Sequence, residues 1–242
     1  TGEVGTVEGT PNSYGIEAYA DGWYRIFSNV TSINTSEVFR IEIASSDNVT
    51  NYLGNGASGI YIWGAQVEEN SYATSYIKTV GTTQTRVADT ASGSGSSTVI
   101  NSTEGTLYAE ISALADDGTF RLITLSDGTT DDRISFGYRS TSNVIYCEVR
   151  KSSVSQAFLS GTVLDVRNFS KVAIKYKEND FALWINGIEV STENSGITPL
   201  NLNQLTFDSG QQGGSFFYGN AKDVRVYNTA LTDAELTTLT TI

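Results

Sequence analysis

The chain has no histidine, no methionine, one cysteine, two prolines and 15 basic against 27 acidic residues in 242 positions. Each scarcity closes off some chemistry. Without histidine, neither Ser-His-Asp nor Cys-His catalysis is available, nor any imidazole-ligated metal. A single cysteine forms no intrachain disulfide and no cysteine-based zinc cage. Cys147 alternates with Ile145 and Val149 in NVIYCEV and reads as a buried structural thiol. The net charge of -12 argues against a nucleic-acid partner, because phosphate binding draws on clustered Lys and Arg. The densest basic run, Lys171, Lys175 and Lys177, alternates with Val172, Ile174 and Tyr176, the pattern of one solvated face on a half-buried strand. No apolar run is long enough for a membrane-spanning helix and no signal peptide is recognisable, so membrane insertion is not expected. Beginning at Thr1 and lacking methionine, the sequence reads as a fragment or a processed product.

What is present is the vocabulary of β-structure. Short Val, Ile, Tyr and Phe runs are separated by Gly, Asn, Asp and Ser clusters, which predicts an all-β fold. The length accommodates two β-sandwich domains of about 100 to 150 residues each. The boundary is placed near Arg86, giving domains 1–86 and 87–242, with the SGSGSS run from Ser92 to Ser97 locally flexible by composition. In the first domain, strands are expected at Trp23–Phe27, at Val38–Ile43 with Phe39, Ile41 and Ile43 sharing a face, and at Ile60–Trp63. Trp23 is expected in the core. In the second, strands are expected at Thr106–Ala113, Phe120–Ser126, Arg133–Tyr138, Val144–Lys151, Lys171–Lys177 and Phe181–Ile185. Asn186-Gly187 in FALWINGIEV tolerates the positive φ of a type I′ hairpin turn, so Lys171 to Val190 reads as three consecutive antiparallel strands. Thr232 and Glu235 form a capping box, with Leu231 and Leu236 at the staple positions, which predicts a short helix to about Leu239.

Three segments carry a family likeness. DGWYRI at Asp21–Ile26 and GIYIWGAQVEENSYATSYIKTVGTTQTRVADT at Gly59–Thr90 resemble a carbohydrate-binding-module-like jelly-roll of bacteriophage tail and virion-surface proteins. KDVRVYNTALTDAEL at Lys222–Leu236 resembles the closing strand and helix of concanavalin A-like (laminin G-like) sandwiches. The resemblance implies a partial jelly-roll whose first strands are missing, followed by a concanavalin A-like sandwich with a short C-terminal helix. It makes Tyr76 and Arg86 junction residues rather than ligand contacts. It also implies a non-catalytic virion protein, a tail fibre, spike or head decoration, that binds host-surface glycans. A location on the extracellular virion surface, contacts with other virion proteins and homo-oligomerisation, as a trimer, follow from it. The alternative is an architectural decoration or cement protein, and a polysaccharide-degrading enzyme comes third.

The residues weigh these options. Glycoside hydrolysis needs two carboxylates flanking the scissile bond, yet no E-x-D-x-x-E-like strand exists. Glu42, Glu110 and Glu148 each stand alone in their strands, as on solvated faces, and Glu68-Glu69 closes a strand end. Sugar binding pairs a flat aromatic ring with polar side chains. If Phe181, Leu183 and Ile185 face inward, Trp184 points outward beside Asn186, either free for stacking or covered by a loop or neighbouring subunit. In the first domain, Trp63 and Tyr61, with Gln66 nearby, form a candidate aromatic platform. Calcium is the cofactor to consider in such folds, and Asp116-Asp117 and Asp127-Gly128-Thr129-Thr130-Asp131-Asp132 are loops with the oxygen chemistry it takes.

Overall fold

Alternation decides the architecture. In Arg133–Tyr138 the apolar residues Ile134, Phe136 and Tyr138 fall on one side, and Arg133, Ser135 and Gly137 on the other. A strand with that pattern is stable only when its apolar side meets another sheet. The computed structural model describes residues 2–32, 36, 38–49, 53–85, 94–211 and 214–242. It divides into two units, Thr1–Val87 and Ala88–Ile242. The expected junction residue Arg86 and the first residues of the SGSGSS run lie outside the described residues.

The second unit is a sandwich of two antiparallel five-stranded sheets. One has the order β10-β9-β8-β3-β12, built from β3 (Glu104–Ala113), β8 (Ser170–Lys177), β9 (Asp180–Ile185), β10 (Ile188–Glu193) and β12 (Gly219–Tyr227). The other has the order β11-β4-β5-β6-β7, from β4 (Arg121–Ser126), β5 (Arg133–Tyr138), β6 (Val144–Lys151), β7 (Val154–Thr162) and β11 (Gln204–Thr206). Between them Leu107, Ile111, Ile174, Phe181 and Leu183 from the first sheet meet Ile123, Leu125, Ile134, Phe136, Ile145 and Val149 from the second, all fully buried. Burying each such side chain stabilises the fold by roughly 1.5–3 kcal/mol. Cys147 belongs to the same core as a free thiol, and burial pushes its pKa well up.

Local signals set the corners. Asn186 (φ 52°) and Gly187 (φ 84°) take the positive φ values that turn β9 into β10, as a type I′ hairpin requires. α1 (Asp233–Thr240) begins at the capping box: Thr232 Oγ1 accepts from Glu235 N at 3.4 Å, and the Glu235 carboxylate accepts from Thr232 N at 2.8 Å. The helix lies on the outward face of the first sheet, where Leu236 packs with Tyr108, Ala173, Ala182 and Trp184.

Some expectations are corrected. Strand β7 is additional, and its VSQAFLSGT sequence carries too few apolar residues to announce it. Lys175 is not on a solvated face: it is buried, 2.8 Å from Asp180 and 3.4 Å from Asp233. In the first unit the described ladder is one hairpin, β1 (Ser13–Ala18) with β2 (Tyr24–Asn29). Val38–Ile43 and Ile60–Trp63 carry no ladder, and Phe39, Ile41 and Ile43 are exposed. Trp23 is 46% exposed rather than in a core, because no second sheet packs on that hairpin among the described residues.

Candidate functional site

Trp184 does point away from the sandwich core, as alternation requires, but it is only 6% exposed because α1 lies over it. It is therefore closed to a stacking ligand, a correction to its expected role. Asn186 is likewise occupied: its side-chain oxygen accepts from Lys171 N at 2.9 Å, which fixes the turn. In the first unit, Gln66 Oε1 accepts from Ile77 N at 2.8 Å instead of joining an aromatic platform. Glu68 holds the same strap through Thr74 N and Thr74 Oγ1 at 2.7 and 2.6 Å, and Arg25 Nη2 donates to Thr74 O at 2.6 Å. Burial acts to raise the Glu68 pKa, but the Thr74, Gln66 and Arg25 interactions outweigh it and hold the carboxyl low. The motif residues Arg25, Gln66 and Glu68 thus clamp one peptide segment. Trp63 packs on Tyr76 with ring centroids 4.6 Å apart, and Tyr61 is 92% exposed.

A different surface gathers chemistry. The ladder places Ser135 opposite Glu148 and Glu148 opposite Phe158, Gly137 opposite Tyr146, and Arg133 opposite Arg150. All these side chains share the outward face of β5, β6 and β7, because their neighbours Ile134, Phe136, Ile145, Cys147, Val149 and Leu159 face the core. Arg133 Nη2 reaches Glu148 Oε2 at 3.1 Å, and Arg150 Nη1 lies 3.9 Å from Glu148 Oε1. The Glu148 side chain is 17% exposed and that of Arg133 11%. Glu148 is thus not the solvated strand residue its isolation in sequence suggests. Beyond it the Arg139 guanidinium lies over Tyr146 at 5.6 Å and over Phe158 at 5.1 Å, within the range of cation–π attraction. Phe120 meets the Tyr146 ring edge-on at 6.1 Å, and Phe158 meets it tilted at 5.6 Å. Phe120 is exposed and Phe158 is 50% exposed.

The protein's own structure supports this face. Beside it, residues 208–210 lie against β4 and β5: Thr124 Oγ1 donates to Asp208 O at 2.6 Å, Ser126 Oγ to Gly210 O at 2.9 Å and Arg133 Nη1 to Ser209 O at 3.1 Å. Gly137 permits the tight pairing there, since a Cβ at that position would stand 1.9 Å from Arg121 O. Burial, with Glu148 adding to it, pushes the Tyr146 phenol up to about 12, so its ring stays neutral. Sequence reading missed these residues although each strand carried the signal. Arg133, Ser135, Gly137 and Arg139 share one parity and Tyr146, Glu148 and Arg150 another; joining them needs the register, which a single sequence does not supply.

The acidic loops are engaged locally. Asp117 pairs with Arg121 at 2.8 Å, Asp116 accepts from Ser142, Asp127 from Thr129 N at 2.9 Å, Asp131 from Ser153, and Asp132 from Leu200 N at 2.9 Å. Among the described residues no group of three or more His, Cys, Asp or Glu is placed to hold a metal ion. A cavity of about 630 Å³ lies in the first unit between Val4–Asn12 and the β1–β2 hairpin. Another, of about 440 Å³, lies among Ser97, Asn101, Asn201 and Asn228. Neither includes the arginine and aromatic face, which is a sheet surface rather than a cleft.

Residues 82–237 match the family model of the Concanavalin A-like lectin/glucanases superfamily. Among solved structures, the chain is similar to the CBM40 of Ruminococcus gnavus IT-sialidase bound to α2,3 sialyllactose. Identity is 19%, the TM-score 0.52, and coverage 62% of this chain and 94% of that one. It is also similar to the leech intramolecular trans-sialidase complexed with 2,7-anhydro-Neu5Ac, at 21% identity and a TM-score of 0.50, covering 59% of this chain and 24% of that one. At these identities the likeness is one of fold. No curated protein sequence matches the chain.

Proposed function

Through residues 82–237 the chain belongs to the Concanavalin A-like lectin/glucanases superfamily, and from that premise we propose that its second unit is a non-catalytic glycan-binding module. The ligand lies on the outward face of β5, β6 and β7. The observation that carries this reading is the pair of exposed rings, Phe120 and Phe158, flanking Tyr146 beneath the Arg139 guanidinium. A sugar presents an apolar C–H face and a rim of hydroxyls, and is held where flat rings adjoin polar groups. The fold likeness to a module carrying sialyllactose supports the same reading. The non-catalytic assignment rests on Glu148. Its ion-pair partners are guanidinium groups, and no second carboxylate stands in the outward rows of β5 and β6, whereas glycoside hydrolysis uses a pair.

A glycan array probed with the full chain, with Phe158→Ala and with Tyr61→Ala and Trp63→Ala tests this. Selective binding lost only in Phe158→Ala, with unchanged melting, is the expected result. Loss only in the Tyr61 or Trp63 variants would move the site to the first unit.

The architectural reading has an observation of its own. Leu53, Phe39, Tyr61, Ile62 and Val67 of the first unit are exposed, and apolar surface of that kind suits contact with other proteins. In this proposal the first unit, which carries the phage-like motifs, makes the virion-protein contacts and the second unit meets the host glycan. Absence of binding to any glycan, with the chain folded, would leave the architectural role alone.

A further inference from the structure

We infer that the glycan bound on this face carries a carboxylate, received between Arg133 and Arg150. The inference rests on the glycan-binding reading above. It begins with the pairing of charges. On the rest of the sandwich most basic side chains have acids of their own: Arg121 with Asp117 at 2.8 Å, Arg167 with Asp165 at 2.7 Å, Lys175 with Asp180 at 2.8 Å, Lys222 with Glu110 at 3.1 Å and Arg225 with Asp223 at 2.6 Å, while Lys171 donates to Thr241 O. On the outward face of β5 and β6, three guanidinium groups share one carboxylate. Arg133 takes Glu148 closely, Arg150 is 3.9 Å from it, and Arg139 has no ion pair among the described residues. In a chain of net charge -12, a local excess of positive charge is the exception.

The placement is costly as well as unusual. Arg133 and Arg150 stand directly opposite each other across two antiparallel strands, where like charges repel. Arg133 and Arg150 each have one backbone acceptor, Ser209 O and Ser153 O, but the Nε–H groups of Arg133, Arg139 and Arg150, like that of Arg121, are buried without a hydrogen-bond partner, which costs desolvation. Departures of this kind from the rule that charges are paired mark functional sites. An incoming anion would supply the missing counter-charge. Its type follows from the local balance: with Arg139 seated over the Tyr146 and Phe158 rings, Arg133, Glu148 and Arg150 leave one positive charge at the arginine pair itself, which matches a monovalent group. A planar carboxylate also fits the guanidinium fork with two parallel hydrogen bonds. Phe158 stands opposite Glu148 in the adjacent row, so a ring stacked on it is next to the arginine pair.

Titration calorimetry on the full chain with 3′-sialyllactose, trigalacturonate, lactose and lactose 3′-sulfate tests the inference. A carboxylated probe should bind at least about tenfold more tightly than lactose, the yield of a charge-assisted hydrogen bond, and lose that margin as salt rises. In Arg150→Gln the margin should vanish while the chain stays folded and still binds lactose; Lys151→Gln, which removes a neighbouring charge, should leave the margin intact. Equal affinity for lactose and both carboxylated probes, a sulfated probe matching them, or an equal loss in Lys151→Gln would overturn the carboxylate while leaving glycan binding in place. No binding to any of the four, or to any glycan of the array, would overturn both.

Discussion

The two outward faces of the sandwich solve the same problem in opposite ways. On the sheet β10-β9-β8-β3-β12, the outward aromatic Trp184 is roofed by α1, and the lysines are matched to acids or to backbone oxygen, Lys171 Nζ donating to Thr241 O at 2.7 Å. On the sheet β11-β4-β5-β6-β7, Phe120 and Phe158 stay in solvent and arginines outnumber acids. Both faces descend from the same alternation rule, so alternation does not choose between structure and function. Cover and charge balance do. The closed face uses its tryptophan to seat a helix, and the open face leaves its rings and cations for a partner.

The comparison can be broken most severely at the roof. Leu236→Ala removes the fully buried anchor of α1 and should cost about 3 kcal/mol, read by chemical denaturation. It should also shift tryptophan emission to the red as Trp184 meets water. Next comes the floor of the open face: Gly137→Ala forces a Cβ against Arg121 O, and the overpacking should cost about 2 kcal/mol by the same measurement. Thr232→Ala deletes the cap that starts α1 and should cost about 1 kcal/mol, enough to fray the roof without removing it. Phe158→Ala sharpens the contrast from the other side. Being exposed, it should change stability by less than about 0.5 kcal/mol while abolishing glycan binding.

The smallest effect is on pH. The carboxyl of Asp165, through its hydrogen bonds from Arg167, and that of Glu235, through Thr232, are held below their ordinary values of 3.8 and 4.5. A carboxyl lowered by folding stabilises above its unfolded pKa and loses that contribution as pH falls through the folded one. Urea midpoints should therefore be flat above about pH 5 and decline below it, with Glu235→Gln showing the shallower decline.

Much of the second unit was legible from short-range chemistry. Asn186-Gly187 forced a hairpin, Thr232 with Glu235 forced a helix start, and the parity of Phe181, Leu183 and Ile185 sent Trp184 outward. That α1 would cover Trp184 was not legible, although the apolar Leu231, Leu236 and Leu239 need a surface to bury against. The site was hidden for a related reason. Arg133, Glu148, Arg150 and Phe158 come from three strands, one of them too polar to recognise, and only register makes them neighbours. In the first unit Tyr61, Trp63 and Gln66 suggested a platform, whereas Gln66, with Glu68 and Arg25, holds the Thr74–Ile77 strap. A motif's polar residues serve the backbone when a buried or bent segment leaves N–H and C=O groups to satisfy.

The most direct test of the account is hydrogen–deuterium exchange of the full chain with and without 3′-sialyllactose. The account predicts ligand-dependent protection confined to β5, β6 and β7 with the adjoining residues 208–210. Protection centred on α1 and β8–β10, or on the first unit, would contradict it.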